Sequence, residues 1–108
     1  MNKIIAPLVT VVSAATFALI AQQPAQASEA LAQQFACVGC HQANARLVGP
    51  SWKEIATKYK GNSKAAQQLA ASIKAGGSGK WGAVPMPPQP QVPDADVNAL
   101  AQWILSQK

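Results

Sequence analysis

The segment Cys37-Val38-Gly39-Cys40-His41, CVGCH, decides how this chain folds. Two cysteines separated by two residues and followed at once by a histidine form the C-x-x-C-H pattern of covalent haem attachment. Two thiols at this spacing on a helical turn can reach the two vinyl groups of one porphyrin and form thioethers with them. His41 then lies beneath the iron as its proximal ligand. The sequence therefore predicts one covalently bound haem c, attached through Cys37 and Cys40.

Two other chemistries use closely spaced cysteines, and the rest of the chain disfavours both. A redox-active dithiol needs C-x-x-C beside a βαβ unit, whereas no segment here alternates like a half-buried strand. A structural zinc ion needs four ligands, but the chain has only two cysteines and one histidine. A plain disulfide between the two cysteines would close almost no loop and would add little stability.

The N-terminal residues have the pattern of a secretory signal peptide. Lys3 precedes a mostly apolar run over residues 4–21, and Ala25-Gln26-Ala27 supplies the small residues of a cleavage site. An uncleaved membrane anchor is the alternative, but a proline and several polar residues dilute the run. We expect residues 1–27 to be removed, the protein to be exported to the periplasm without stable membrane insertion, and residues 28–108 to form one domain.

The mature part is predicted to be all-α, with about four short helices. Ser28 and Glu29 are suited to the start of the first helix, and Ser51 and Glu54 form an S-x-x-E capping box that opens the second. Apolar residues recur at helical spacing in all four segments, and glycines or prolines separate the later ones. The predicted bounds are residues 28 to about 37, 51–61, 63–75 and 94–108.

A domain of about 80 residues has a thin hydrophobic core, which usually needs disulfides, a metal or another staple. Two cysteines cannot supply a disulfide framework. The apolar faces of a haem would complete the core, so we expect the helices to wrap around this cofactor.

Met86 is the candidate for the second axial ligand of the haem iron. The chain has one histidine, so two histidine ligands from the same chain are impossible, and Met1 leaves with the signal peptide. The segment Val84-Pro85-Met86-Pro87-Pro88 flanks the remaining methionine with prolines, which make the loop stiff and extended. A gap-filling core methionine is the alternative, but it leaves the prolines unexplained.

These motifs together resemble the short monohaem bacterial class I cytochromes c. The resemblance spans the mature chain and rests on residues 37–41, 48–50, 81–88 and 100–106. It implies that the carbonyl of Pro50 accepts the Nδ1 proton of His41. It also implies that Trp81 donates its indole N–H to a haem propionate, although a role in packing alone is the alternative for this residue.

The chain departs from this family at three positions. Some relatives carry a propionate-binding arginine in the third helix, where this chain has Ser72. Others place an asparagine that touches the methionine ligand where this chain has Gln89, and Pro90-Gln91 lengthens the same loop. These differences bear on the reduction potential rather than on ligation of the iron.

Ligation by a histidine and a thioether fills both axial positions, so the protein is expected to carry single electrons and not to be an enzyme. The alternative is a haem enzyme or gas sensor with a labile sixth ligand. By resemblance, a membrane quinol-oxidising complex would be the electron donor. The acceptor would be a terminal oxidase, a nitrite reductase or a peroxidase.

The charge of the mature chain bears on its partners. Without Lys3, eight basic residues remain against four acidic ones. Because the basic residues are scattered, without an arginine-rich run, nucleic-acid binding is disfavoured. We expect a monomer that docks on an acidic patch of its redox partner, with a merely solvated basic surface as the alternative.

Overall fold

The structure, a computed structural model, describes residues 24–108. In this range it contains α1 (Pro24–Gln34), a 3₁₀ helix (Cys37–Gly39), α2 (Trp52–Lys58), α3 (Ala65–Ala75) and α4 (Asp94–Leu105). The described residues form no strand, and two isolated β-bridges are the only β-type pairs among them. The predicted all-α class is therefore confirmed. Residues 1–23, which hold most of the predicted signal peptide, lie outside the described residues.

Helix α4 is the centre of the fold, because α1, α2 and α3 all pack against it. Ala101 of α4 and Ala32 of α1 are both fully buried, and such small side chains let two helices approach closely. Ser28 of α1 also donates a hydrogen bond from its Oγ to the carbonyl of Ala99, at 3.3 Å. The buried residues of α4 follow the i, i+3, i+4, i+7 spacing of one helix face, and they are Val97, Leu100, Ala101 and Ile104.

Helix α2 opens with the predicted capping box, which the structure confirms. The Ser51 Oγ accepts the backbone N–H of Glu54 at 3.0 Å, and the Glu54 Oε2 accepts the backbone N–H of Ser51 at 2.7 Å. These bonds satisfy donors that have no partner inside the first turn. The Ser51 N–H also holds the pKa of Glu54 below its ordinary value, with a smaller contribution from Arg46.

Helix α3 ends at a glycine that lets the chain turn into the loop carrying Met86. Gly76 has a φ of 67°, in the left-handed region that favours glycine. A Cβ at this position would collide with the carbonyl oxygen of Met86 and lie 2.7 Å from the nitrogen of Pro88. The end of α3 and the Met86 loop can therefore come together only at a residue without a side chain.

The first helix differs from its prediction at both ends. It begins at Pro24, so Ser28 lies inside the helix and does not cap it. Proline suits the first helical position and the alanines that follow favour helix, which explains the earlier start. The helix stops at Gln34, and Ala36 takes a left-handed φ of 58° that turns the chain before Cys37.

The other helices are slightly shorter than predicted. Helix α2 ends at Lys58, three residues before Gly61, and α4 ends at Leu105. Helix α3 starts at Ala65, because the Asn62 side chain accepts the backbone N–H of Lys64 at 2.9 Å and forms a turn ahead of the helix. No helix in the described part of the chain is long and apolar enough to cross a membrane.

Candidate functional site

Cys37 and Cys40 lie at the two ends of one short turn. Cys37 begins the 3₁₀ helix, and Cys40 caps it by donating its N–H to the Cys37 carbonyl at 3.2 Å. Neither thiol is in a disulfide, and Cys40 is exposed while Cys37 is partly buried. Burial raises the pKa of the Cys37 thiol, against the effect of a backbone hydrogen bond. Both sulfurs are thus available to one ligand lying across this turn.

His41 follows this turn and is buried, with 9% of its surface exposed. Its Nδ1 lies 2.7 Å from the carbonyl oxygen of Pro50. A carbonyl can only accept a hydrogen bond, so Nδ1 carries a proton, and a neutral ring with this tautomer has its lone pair on Nε2. This is the tautomer that can ligate a metal through Nε2, with the carbonyl orienting the ring.

Backbone hydrogen bonds close the loop between His41 and α2. The N–H of Gly49 donates to the Cys40 carbonyl at 2.8 Å, and the N–H of Trp52 donates to the Gln42 carbonyl at 2.9 Å. A Cβ on Gly49 would lie 2.7 Å from Cε1 of His41, closer than real Cβ contacts. Only glycine therefore lets the backbone approach the imidazole this closely.

The His41 ring also stacks on an indole that the sequence did not assign to the site. The ring centroids of His41 and Trp52 are 4.7 Å apart, with 23° between the ring planes. Trp103 contacts Trp52 edge-on, at 5.4 Å between centroids. The three rings line a cleft of about 490 Å³ that Glu29 and Gln107 also border. Helical spacing predicts Trp52 only as an apolar residue of α2, because the stack depends on how the preceding loop closes.

Met86 lies in a loop that its backbone ties to α3. Met86 and Gly77 exchange two backbone hydrogen bonds, at 2.8 and 3.0 Å. The N–H of Gln89 donates to the carbonyls of Ile73 and Lys74 at the end of α3, both at 3.2 Å. The loop is therefore held by main-chain bonds that do not involve the Met86 side chain, which is partly buried.

Two basic side chains contact Trp81, and the sequence analysis assigned neither of them to the site. Arg46 donates from Nη1 to the Trp81 carbonyl at 2.8 Å and pairs through Nη2 with Glu54 at 3.2 Å. The Lys58 Nζ lies 4.4 Å from the centroid of the Trp81 ring, a cation–π contact. Arg46 also forms a β-bridge with His41. It thus connects the loop that follows His41 to the loop that carries Trp81, 35 positions along the chain.

The side chains of Ser72 and Gln89 form hydrogen bonds with residues of their own segments. The Ser72 Oγ donates to the Gln68 carbonyl at 3.0 Å, one turn back in α3. The Gln89 Nε2 donates to the Pro87 carbonyl at 3.1 Å, while its Oε1 accepts a bond from Gln91 at 2.7 Å. The hydrogen bonds of these two side chains are local.

Exposed apolar side chains accompany the site. The largest are Val38, Leu47, Val48 and Val84, with 43% to 62% of their surface exposed. Single exposed apolar residues are common on proteins, but these four belong to the attachment turn, the loop after His41 and the loop before Met86. The segments that carry the candidate ligands therefore also carry exposed apolar side chains.

The donor set fits a haem better than a metal ion held by the protein alone. Residues 24–108 contain no group of three or more histidine, cysteine, aspartate or glutamate side chains placed to hold an ion. They do provide two free thiols on one turn, which suit the two vinyl groups of a porphyrin. They also provide an imidazole with an available Nε2 and a thioether on a stiff loop.

Comparison with known proteins points to the same cofactor. The sequence profile of the cytochrome c family matches residues 25–108. Cytochrome c-552 of Nitrosomonas europaea is 49% identical over 94 residues, covering 87% of this chain and 91% of that protein. Cytochrome c-552 of Hydrogenobacter thermophilus is 54% identical over 82 residues, covering 76% and 83%. The crystal structure of wild-type Nitrosomonas europaea cytochrome c552 matches with a TM-score of 0.73 at 50% identity, covering 74% of this chain and 99% of that one.

Proposed function

The chain belongs to the cytochrome c family, as a small monohaem class I member with one covalently bound haem c, and we propose that it is a periplasmic one-electron carrier whose iron is ligated by His41 and Met86. The observation that carries the proposal is the hydrogen bond between the His41 Nδ1 and the Pro50 carbonyl. It leaves the Nε2 lone pair for the iron, and Met86 is the one thioether of the mature chain.

Cys37 and Cys40 hold the cofactor covalently. Each thiol would add its S–H across one vinyl double bond, which would form a thioether without losing an atom and without net oxidation or reduction. Trp81 is proposed to donate its indole N–H to a propionate. The Arg46 bond to the Trp81 carbonyl and the Lys58 ammonium over its ring support this role, because the first fixes the Trp81 backbone and the second restricts the indole. The two cations also place positive charge near the proposed anion.

The axial ligands decide what the site can do. When bound, the haem supplies a one-electron couple between ferrous and ferric iron. The neutral thioether of Met86 favours the ferrous state more than a second imidazole would, which raises the reduction potential. With both His41 and Met86 holding the iron, no coordination position would remain for a substrate. The site is therefore suited to carrying electrons and not to transforming a bound molecule.

The arrangement of α1 is compatible with removal of the signal peptide after Ala27. Leu31 and Ala32 of α1 pack in the core, as does Phe35 in the turn after the helix, and cleavage after Ala27 would keep these three residues. Cleavage would remove the first four residues of α1 and would keep its contact with α4. We therefore retain the proposal that residues 28–108 act in the periplasm.

Basic side chains near Trp81 support docking on an acidic surface. Arg46 and Lys58 both contact the Trp81 segment, and the Lys58 Nζ donates to the Lys80 carbonyl at 3.1 Å. A partner with acidic groups around an apolar contact would match these cations and the exposed Val84. We propose a membrane quinol-oxidising complex as the donor and a terminal oxidase, nitrite reductase or peroxidase as the acceptor.

A spectroelectrochemical titration of the purified holoprotein tests the carrier function. We expect one reversible one-electron transition with low-spin iron in both oxidation states, because neither His41 nor Met86 has to leave. A change of spin state on reduction would contradict the proposed ligation. Catalytic consumption of an added small molecule would contradict the carrier function.

Electron transfer to an acidic redox protein is expected to slow roughly tenfold between low and high salt, because added ions screen the attraction that steers docking. Stopped-flow mixing at increasing ionic strength measures this. Lys53→Gln, which removes an exposed charge in the cleft beside Trp81, should lower the rate at low salt and weaken the salt dependence. Lys64→Gln, in the turn before α3, is the matched control. Rates that stay flat or rise with salt would mean that the lysines are only a solvated surface.

A further inference from the structure

We propose that Trp52 and Gly49 fix the plane of the His41 ring and thereby set the electronic environment of the iron. The inference deepens the proposed function, because it depends on ligation of the iron by His41. Nothing in the C-x-x-C-H motif predicts this role, since both residues follow the motif and reach the imidazole only when the loop has closed.

The hydrogen bond to Pro50 cannot fix the ring plane by itself. It holds one atom, Nδ1, at 2.7 Å from a carbonyl oxygen. Carbonyl oxygens accept hydrogen bonds over a broad range of directions, and the torsion of a histidine ring about its Cβ–Cγ bond is soft. The ring can therefore turn while the bond is kept, so another contact has to select its plane.

Trp52 supplies a flat surface parallel to the imidazole. The indole and His41 ring planes are only 23° apart, at a centroid separation of 4.7 Å. The Trp52 indole is itself held in place, because the residue is 5% exposed and Trp103 packs against the edge of the ring. The backbone N–H of Trp52 is also bonded to the Gln42 carbonyl, which fixes the main chain that carries the indole. A rotation of the His41 ring would lose this stacking contact and drive the ring into the indole.

Gly49 restricts the movement of the His41 ring near its Cε1 atom. A Cβ built on this residue would lie 2.7 Å from Cε1, 3.0 Å from Nδ1 and 3.3 Å from Nε2 of His41. The glycine backbone therefore lies directly against the imidazole, with no room for a side chain between them. The Gly49 N–H bond to the Cys40 carbonyl fixes that backbone in turn. The ring is thus confined by an indole, a backbone segment and a hydrogen bond.

The plane of a ligating imidazole has a directional electronic effect. The ring donates π density perpendicular to its own plane, so its orientation selects which iron d orbital is raised. This choice determines how the unpaired electron of ferric iron is distributed over the haem periphery. Trp52 and Gly49 are positioning residues in this account, because they act on the iron only through His41.

Proton NMR of the oxidised holoprotein tests the proposal, since the shifts of the four haem methyl groups depend on the orientation of both axial ligands, and the variants below leave Met86 unaltered. We expect Trp52→Leu to change the order or spread of these shifts, because leucine offers no flat surface. Trp52→Phe should retain the unaltered pattern, since a phenyl ring can stack in the same place. Trp103→Phe is the matched control, because its phenyl ring can keep the edge contact that holds Trp52 while the residues of the His41 stack stay unaltered.

Gly49→Ala changes the contact between residue 49 and the His41 ring and leaves the packing of Trp52 unaltered. The added methyl group should displace the imidazole or break the bond to Cys40, and so change the same methyl shifts. If Trp52→Leu does not fold, the haem methyl shifts of Gly49→Ala test the proposal instead. The proposal is overturned if the folded variants keep the unaltered pattern, or if Trp103→Phe changes it as much as Trp52→Leu does.

Absence of iron ligation by His41 and Met86 would give a different experimental result from absence of the positioning role. If His41 and Met86 did not ligate the iron, the unaltered protein would itself lack a low-spin spectrum, before any variant is made. The unaltered protein could instead be low-spin, with haem methyl shifts that do not change in the Trp52 and Gly49 variants. That result would be consistent with the carrier function and would contradict only the positioning role.

Discussion

Replacing Met86 by alanine is expected to lower the reduction potential by on the order of a few tenths of a volt, a substantial fraction of the roughly 0.8 V that axial ligands span. Alanine cannot donate to iron, so the sixth position becomes open to water and to added ligands. Loss of the thioether also removes the ligand that favours ferrous iron. A potentiometric titration and the spin state of the ferric protein measure both effects.

The Met86→Ala variant should keep its haem and its loop. The thioethers at Cys37 and Cys40 do not involve residue 86. The loop is tied to α3 by backbone bonds between Gly77 and residue 86 and from Gln89, which a change of side chain leaves in place. The control is Val84→Ala, an exposed position in the same loop, and it should leave the potential near its unaltered value. An unchanged spectrum and potential in Met86→Ala would show that Met86 does not ligate the iron and that the proline-rich loop has only a structural role.

The chain without haem is expected to lack stable tertiary structure and to lose most of the roughly 5–15 kcal/mol by which native domains are stable. Its helices are short: α1 and α3 have 11 residues, α2 has 7 and α4 has 12. Helices of this length are marginal in water by themselves and depend on packing. A chain of about 80 residues buries too little apolar surface to supply that packing without the cofactor.

Double replacement of Cys37 and Cys40 by serine provides a chain that cannot form the thioethers. After removal of any loosely bound haem, we expect weak near-ultraviolet circular dichroism from its tryptophans and no cooperative thermal transition. The matched control is the unaltered holoprotein under the same conditions. Cooperative unfolding with a native-like near-ultraviolet spectrum in the haem-free chain would show that the polypeptide core is sufficient.

Local features of the sequence predicted the parts of the fold that short-range interactions decide. The capping box at Ser51 and Glu54 involves residues three apart, and it is confirmed. Gly76 ends α3 as predicted, because the positive φ required there is a property of that one position. The start of α1 was predicted wrongly, since Ser28 has a capping side chain but lies within a helix that begins at Pro24.

Contacts between distant segments explain what the sequence analysis missed at the site. Arg46 was counted only as a surface charge, although it links the loop after His41 to Trp81. Trp52 was assigned to the apolar face of α2, although it stacks on His41. Both contacts arise from loop closure, which no local periodicity encodes. The axial roles of His41 and Met86 remain predictions that rest on the chemistry of the two side chains.

Carbon monoxide is the most direct test of the central claim, that His41 and Met86 fill both axial positions of an electron carrier. When it is mixed with the reduced holoprotein, we expect no rapid change in the absorption spectrum, because the Met86 sulfur already occupies the sixth position. Met86→Ala should bind the gas quickly under the same conditions and serves as the positive control. Rapid, tight binding by the unaltered protein would contradict the account and identify an open or labile haem site, as in a haem enzyme or a gas sensor.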